Sequence, residues 1–528
     1  MTRRRTLIAT GLVTGRDTRA ARIAEAVCWG AVALLLVVCV AHQWYGFDIW
    51  YHLALGREVW GTGAPGATGT VLMQQAGYRN VYWVFQLLAW SIYSLGGMAG
   101  VTALLAVLWL AAFGLWAASA RAFRFPAVGI PLAAAAVIAC QLRFEERPEV
   151  LSYLFLALHL WLVGRLAAGR IDRWHLLVWV ASEAVWTNVH GYFFLGPASL
   201  AAWLACAWLQ GEARGRLATG LKLLAGLVAA TFVCPFGAGA WQTAFEYARF
   251  LGAMRSAVIE FRAYPLSGYG WTTGFFWCWS GMVAVLALAD LLARRSLFGP
   301  ALALLGVTLG ASSARNAPLA VMMSGPLLAA RIESIGAVFA ARIPRLALPV
   351  LTAVLALGYS GHALATGSYA PLVTYPYAFG SRLSPEDYPV DATDYLRGAG
   401  FRGSVFSHPG DGSYLEYVLP AARPYSDTRL IDAPVTSEYF RALQQADAFL
   451  ALDGRWRFDA VLVNIREDET HLLSLLADRK RWEMVYADPF RCVLANRDRP
   501  GGAALAQGPI RFYWGQGFEN PVNYNAAG

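Results

Sequence analysis

Apolar runs of about 18 residues or more recur along this chain from near its start to about residue 366. A run of that length crosses the hydrocarbon core of a bilayer, about 30 Å thick, as a helix, which satisfies its own backbone polar groups in lipid. Composition agrees with that reading. The chain is 57% hydrophobic and 15% charged, whereas a soluble protein is nearer half apolar and a quarter charged. The formal net charge of +9 is therefore assigned to cytoplasmic loops, where Arg collects in multi-spanning proteins, and not to a nucleic-acid partner. The seven cysteines are scattered without a CxxC. They read as small buried apolar residues, neither a disulfide framework nor a metal site.

The runs predict about eleven spans, at 23–45, 99–120, 127–142, 148–166, 174–189, 192–210, 217–234, 271–293, 298–313, 316–331 and 346–366. Segment 80–96, "NVYWVFQLLAWSIYSLG", is long enough to be taken for another. The basic loops argue against that. With 80–96 lying along the outer face as an interfacial helix, the arginines near 3–22, 121–124, 165–173, 214–216, 294–295 and 331–345 all fall on one side. The N-terminal stretch 1–22 then reads as a basic cytoplasmic tail and 23–366 as an all-α polytopic membrane domain. Everything after 366 lies outside the cell membrane.

From about 367 the apolar runs shorten and alternate with turns and charges. "GSVFSHPGDGSYLEYVLP" reads as strand, Gly-rich turn, helix; "YFRALQQADAFLALDG" and "HLLSLLADRKRW" as helices; "DAVLVNI", "WEMVYAD" and "RCVLANR" as strands. This predicts a small extracytoplasmic α/β domain over 367–499, followed by an irregular tail over 500–528.

With this topology the polar residues that no span needs gather on the outer face. Asp48 stands at the outer end of the first span among Trp44, Tyr45, Phe47, Trp50 and Tyr51. Two readings are open: a helix cap inside an interfacial aromatic belt, or a partly desolvated base able to take a proton from an attacking acceptor. His52 lies one turn further on, and such an i, i+4 pair can share a proton or a metal. Arg57 fits a phosphate or a lipid headgroup. "RFEERPE", Arg143 to Glu149, sets Arg147 and Glu149 around Pro148 at a span start; an internal ion pair and a lipid-phosphate site are both consistent with it. His190, in "TNVHGY", is a turn residue or a donor to a phosphate leaving group. Arg262 and Arg315 are interfacial anchors or anion ligands. No P-loop, dinucleotide turn, HExxH or nucleophile elbow is present in the sequence.

The succession "FDIWYHLALGREVW", "RPEVLSYLFLAL" and "WTNVHGYFFLGP" resembles the multi-spanning GT-C glycosyltransferases, in particular the bacterial branch related to protein mannosyltransferases and lipid A aminoarabinose transferases. The resemblance covers roughly residues 20–366. "YPVDATDYLRGAGFRGSVFSHPGDGSYLEYVL" resembles the extracytoplasmic domain that ends such chains. It implies a multi-pass protein of the bacterial cytoplasmic membrane with a polyprenyl-phosphate-linked sugar donor. It also implies an extracytoplasmic acceptor of unspecified kind and an inverting single displacement. In this family the Asp of the first outer loop is the proposed base, which carries over to Asp48; the "RPE" element carries over to Arg147 and Glu149. Many relatives carry a second acid close to the first, where this chain has Ile49. A divalent cation is thus possible but not supported, and no other cofactor is implied. A non-catalytic scaffold of a glycan-assembly system and a transporter or flippase are the alternatives. The second expects polar groups at mid-membrane, while the charges here sit mainly at span ends.

Overall fold

The structure, a computed structural model, describes residues 19–66, 69–73, 78–253, 261–268, 270–340, 342–370, 378–384, 386–429, 433–465, 472, 476, 480–508 and 510–512. The first half is helical. It runs α1 (Arg19–Val40), α2 (Asp48–Thr62), α3 (Trp83–Ser119), α4 (Pro126–Cys140), α5 (Glu149–Ala167), α6 (Arg173–Thr187), α7 (Leu195–Leu209), α8 (Arg214–Ala230) and α9 (Gly239–Ala253). It continues with α10 (Trp271–Leu292), α11 (Phe298–Ser312), α12 (Ala317–Met322), α13 (Gly325–Ala340) and α14 (Ala347–Thr366).

Among the described residues, seven helices are long and apolar enough to cross a membrane, or eight if the bent pair α12–α13 forms one span. The eleven predicted spans each coincide with helix, but α6, α8 and α11 are only 15, 17 and 15 residues long. Such lengths rise about 23–26 Å at 1.5 Å per residue, short of the hydrocarbon thickness. A count of eleven therefore does not follow from length. Segment 80–96 forms a helix that directly abuts the next span. The two are labelled together as α3 and part at Gly97, a non-helical residue with φ 56° and ψ −149°. Glycine reaches that backbone state without a Cβ clash.

The first part of α3 packs on α2 at close range. A Cβ on Gly56 would stand 2.2 Å from the Gln86 carbonyl oxygen and 2.8 Å from Trp90 Cβ. Both are on a helix with no room to yield. Gly56→Ala is expected to destabilise the protein by about 1–3 kcal/mol, the range for overpacking a filled contact, despite alanine's higher helix propensity. Thermal unfolding in detergent reads it; an unchanged or raised midpoint would show that the α2–α3 contact is loose.

The second half is an α/β domain. It comprises α15 (Val390–Gly398), β1 (Gly403–Ser407), α16 (Pro409–Val418), β2 (Ala422–Pro424), α17 (Ala433–Gln444), α18 (Ala446–Trp456), β3 (Ala460–Asn464), β4 (Trp482–Ala487), β5 (Arg491–Asn496), α19 (Pro500–Ala506) and β6 (Arg511–Phe512). The sheet order is β2-β1-β3-β5-β4-β6. β2, β1 and β3 run parallel, and β5 is antiparallel to both β3 and β4. β1 and β3 read as apolar runs because helices cover both sheet faces. Three sequence readings change. "HPGDG" is not a free turn: His408 caps α16, its Nδ1 accepting from Gly410 N at 3.1 Å. The helix read over "YFRALQQADAFLALDG" is two, broken at Gln445. The tail is not irregular from 500: α19 and β6 extend the domain, and Gly502 lies so close to the Asn496 and Asp459 carbonyls that a Cβ there would come within 2.4 Å of both. Most of "HLLSLLADRKRW", and residues 513–528, fall outside the described residues.

The two halves are joined around α2. Trp50 packs against Tyr388, Tyr414 and Tyr417 at ring-centroid distances of 5.8, 4.9 and 5.7 Å. The Tyr388 hydroxyl donates to the Gly46 carbonyl at 2.8 Å. Leu72 and Met73 of the first loop donate to the carbonyls of Pro424 and Tyr425, continuing the edge of β2. The α/β domain thus sits on the end of the helical domain that carries Asp48.

Candidate functional site

The site is built where helices begin and end, since there a side chain can be fixed without interrupting an apolar span. Asp48 is the first residue of α2. Phe47, not Asp48, holds the cap position, and no side chain caps that end. The sequence "RFEERPE" places its charges between α4 and the first residue of α5, with Pro148 at the cap. Arg315 lies in the turn between α11 and α12, and His190 between α6 and the turn that leads to α7.

These positions converge on one chain of alternating charge. Arg147 Nε lies 3.3 Å from Asp48 Oδ2 and 2.6 Å from Glu145 Oε2. Arg143 contacts Glu145 at 3.2 Å and Glu149 at 3.6 Å. Arg315 donates to Glu149 Oε1 at 2.5 Å and to the Tyr247 hydroxyl at 2.6 Å. Asp48, Glu145 and Glu149 thus balance Arg143, Arg147 and Arg315. Glu146, next to Gly46, is 1% exposed. Burial pushes its carboxyl well above the usual range.

Two neutral histidines stand beside this chain. His52 Nδ1 accepts from the Gln86 amide at 3.4 Å, and Gln86 in turn accepts from Asn80 at 2.6 Å. His190 Nδ1 meets the Ser152 hydroxyl at 2.9 Å and accepts from Tyr192 N at 3.3 Å. The Ser152 oxygen accepts the Trp186 indole N–H at 2.8 Å, which leaves its own proton to point at His190. Nδ1 is therefore an acceptor in both rings and Nε2 carries the proton. Among the described residues neither Nε2–H has a protein acceptor. Tyr82 lies between the rings, at 5.6 Å from His52 and 5.7 Å from His190.

Burial, opposed by Glu149, holds His190 down to about 4, and burial likewise holds His52 well below its ordinary value. The unfolded chain, with a histidine near 6.5, then binds more protons than the folded one between those values. Stability must fall as pH drops through that window. His190→Gln is expected to remove about 1.4 kcal/mol per pH unit of this acid sensitivity between roughly pH 6.5 and pH 4. The difference in unfolding free energy between variant and wild type measures it, and cancels the contribution of Glu146. Parallel pH profiles would mean that His190 titrates normally.

Six of the residues singled out in the sequence meet here: Asp48, His52, Arg147, Glu149, His190 and Arg315. Two do not. Arg57 turns away to the α/β domain, donating to the Tyr417 carbonyl at 3.2 Å and lying 4.9 Å over its ring. Arg262 has an exposed side chain, and its carbonyl accepts from Ala314 N. The sequence reading passed over Tyr82, Gln86, Tyr247 and Tyr388. Each sits in an ordinary-looking aromatic or polar stretch, so only contact made over long sequence separation reveals it. Among the described residues no three His, Cys, Asp or Glu side chains gather as metal ligands. Asn188, two residues before His190, lines an apolar groove of about 500 Å³ together with Trp83, Val185, Val233 and Pro235. Asn188 ties its wall together, accepting from the Trp83 indole at 2.8 Å and donating to the Val233 carbonyl at 2.7 Å.

Ionisable groups are not confined to span ends. His159, halfway along α5, meets Glu183, one turn before the end of α6; both are fully buried, with Nδ1 and Oε2 3.7 Å apart.

No protein-family model matches the chain, and no curated protein does. Solved structures do. The archaeal oligosaccharyltransferase AglB from Archaeoglobus fulgidus, in complex with an inhibitory peptide and a dolichol-phosphate, aligns at a TM-score of 0.55 and 11% identity, over 87% of this chain and 72% of that one. The Archaeoglobus fulgidus oligosaccharyltransferase in its apo form gives 0.52 and 12% over 90% and 74%. The form tethered to an acceptor peptide with an NVT sequon gives 0.51 and 12% over the same shares, 90% and 74%.

Proposed function

From a chain that folds as a GT-C superfamily membrane glycosyltransferase, we propose that it moves a sugar from a polyprenyl-phosphate donor to an extracytoplasmic acceptor, with Asp48 as general base. The observation that carries the proposal is the gathering, at one end of the helical domain, of Asp48 with two imidazole N–H donors that have no protein acceptor among the described residues. That combination suits a substrate with an anionic head and a hydrocarbon tail.

The chemistry follows from the groups. The acceptor's O–H or N–H gives its proton to the Asp48 carboxylate as its heavy atom bonds to the anomeric carbon. The bond from that carbon to the phosphate oxygen breaks on the opposite face, so configuration inverts and polyprenyl phosphate leaves. The Nε2–H groups of His52 and His190 donate to the phosphate, whose charge grows as it departs. Arg147 fixes the Asp48 carboxylate. The Arg147 guanidinium lies between Asp48 and Glu145, which opposes a divalent cation shared by those two acids. The prenyl chain fits the groove beside Trp83, which keeps it against lipid. The arginine-rich helix ends lie opposite the site, and the positive-inside bias then puts the site outside the cytoplasm.

Polyprenyl-phosphate mannose with a labelled sugar, given to the purified full-length protein and a membrane extract as acceptor source, tests the reading. Release of polyprenyl phosphate together with label transfer supports it; no release with any polyprenyl-phosphate sugar tried would end it. The balanced ion-pair chain favours a second reading, a scaffold that keeps the fold without the chemistry, and under that reading Asp48 can be neutralised without loss of product. The buried His159–Glu183 pair is a feature that a transporter would also need.

A further inference from the structure

At the end of the helical domain opposite Asp48, the ends of five helices enclose a second cavity, of about 700 Å³. α5 spans the distance between the two sites. Glu149 is its first residue and Arg165 lies in its last turn, so the cavity is about 25 Å from the charge chain at 1.5 Å per residue. The cavity's inner wall is apolar, with Leu160, Trp203 and Phe298 all buried. Arg121, Arg124, Arg165 and Arg170 line it as well.

Among the described residues these four cations are uncompensated. The carboxylate that reaches the wall, Glu212, pairs with Arg216 at 3.0 Å. None of the four has a carboxylate partner among the described residues. Arg165 is held in place by donating to the Arg170 carbonyl at 3.0 Å and by lying 5.4 Å over Trp161. Arg121 takes a left-handed backbone conformation, φ 58°, which turns the chain after α3. Four guanidiniums around one mouth, three of them exposed, repel one another, and an anion with planar oxygen arrays relieves that repulsion. An anion resting against buried Leu, Trp and Phe must also carry hydrocarbon.

We propose that this cavity binds the phosphate headgroup of an anionic membrane lipid, its chains lying against the apolar wall. Basic pockets between membrane helices recognise lipid headgroups in this way. The site is distinct from the proposed donor site and does not depend on that reading.

Thermal unfolding of the full-length protein in neutral detergent tests it, with phosphatidylglycerol, phosphatidylcholine or inorganic phosphate added. Phosphatidylglycerol should raise the midpoint and phosphatidylcholine should not. Arg124 and Arg170 are exposed, so R124Q/R170Q should fold normally yet need about 10- to 30-fold more phosphatidylglycerol for half its effect. R214Q/R295Q removes two arginines outside the cavity and should respond like the wild type. Equal weakening in both double variants, or no lipid-specific shift, overturns the site. A shift produced as fully by inorganic phosphate, and lost only in R124Q/R170Q, overturns the lipid assignment in favour of a soluble phosphate.

Discussion

Asp48→Asn is expected to lower glycosyl transfer by about 10²–10⁴-fold, the usual contribution of a positioned general base, while the protein stays folded. The two halves of that statement rest on different observations. Asparagine keeps the volume of the side chain but cannot take the acceptor's proton at neutral pH. Stability should barely change, because Asp48 does not cap α2 and Arg147 retains Glu145 at 2.6 Å. The Asp48 side chain is 22% exposed, and a partly solvated ion pair contributes about 1 kcal/mol or less. Single-turnover transfer and thermal unfolding, measured on the same preparation, separate the roles. A parallel loss of stability and transfer would make Asp48 a structural residue, and full transfer by the variant would place the base elsewhere.

Asp411→Asn should have the largest effect on stability, about 3–5 kcal/mol, the range for breaking one partner of a buried ion pair. Asp411 is fully buried and Arg491 is 1% exposed. They meet in two parallel bonds, Nε to Oδ2 at 2.7 Å and Nη2 to Oδ1 at 2.9 Å. Removing the acid leaves a guanidinium in the core facing a neutral amide. Arg491 also donates to the carbonyls of Glu386 and Asp387, directly before Tyr388, whose hydroxyl holds the Gly46 carbonyl two residues from Asp48. The damage should therefore reach the site: transfer falls along with the unfolding midpoint, and the conservative Asp411→Glu recovers part of both. A midpoint within about 1 kcal/mol of the wild type would mean that desolvation of the pair cancels its attraction.

These two acids show how unevenly the sequence reveals function. Asp48 is conspicuous, a lone carboxylate after an apolar run among aromatics. Asp411 looks like one more turn residue in "HPGDG", and its partner is 80 positions away. Periodicity and apolar run length are local properties, so the membrane class, the approximate places of the helices and the existence of an α/β domain were legible. The separation of segment 80–96 from the span after it was legible too, and Gly97 supplies it: its non-helical backbone parts two helices that directly abut. The buried pair His159–Glu183 escaped because each of the two residues is alone in its own apolar run.

Hydropathy by itself determined that this chain is a multi-pass helical protein with a smaller mixed domain after it, since burying about 18 apolar residues in succession has few solutions. Tertiary structure alone decided which charges meet. It drew Asp48, Arg147, Glu149, Arg315, His52 and His190 to one end, sent Arg57 to the neighbouring domain, and set Tyr388 behind Asp48. The physical reason is that ion pairs and imidazole hydrogen bonds act over about 3 Å between residues up to some 340 positions apart, and no local pattern in the chain encodes such distances.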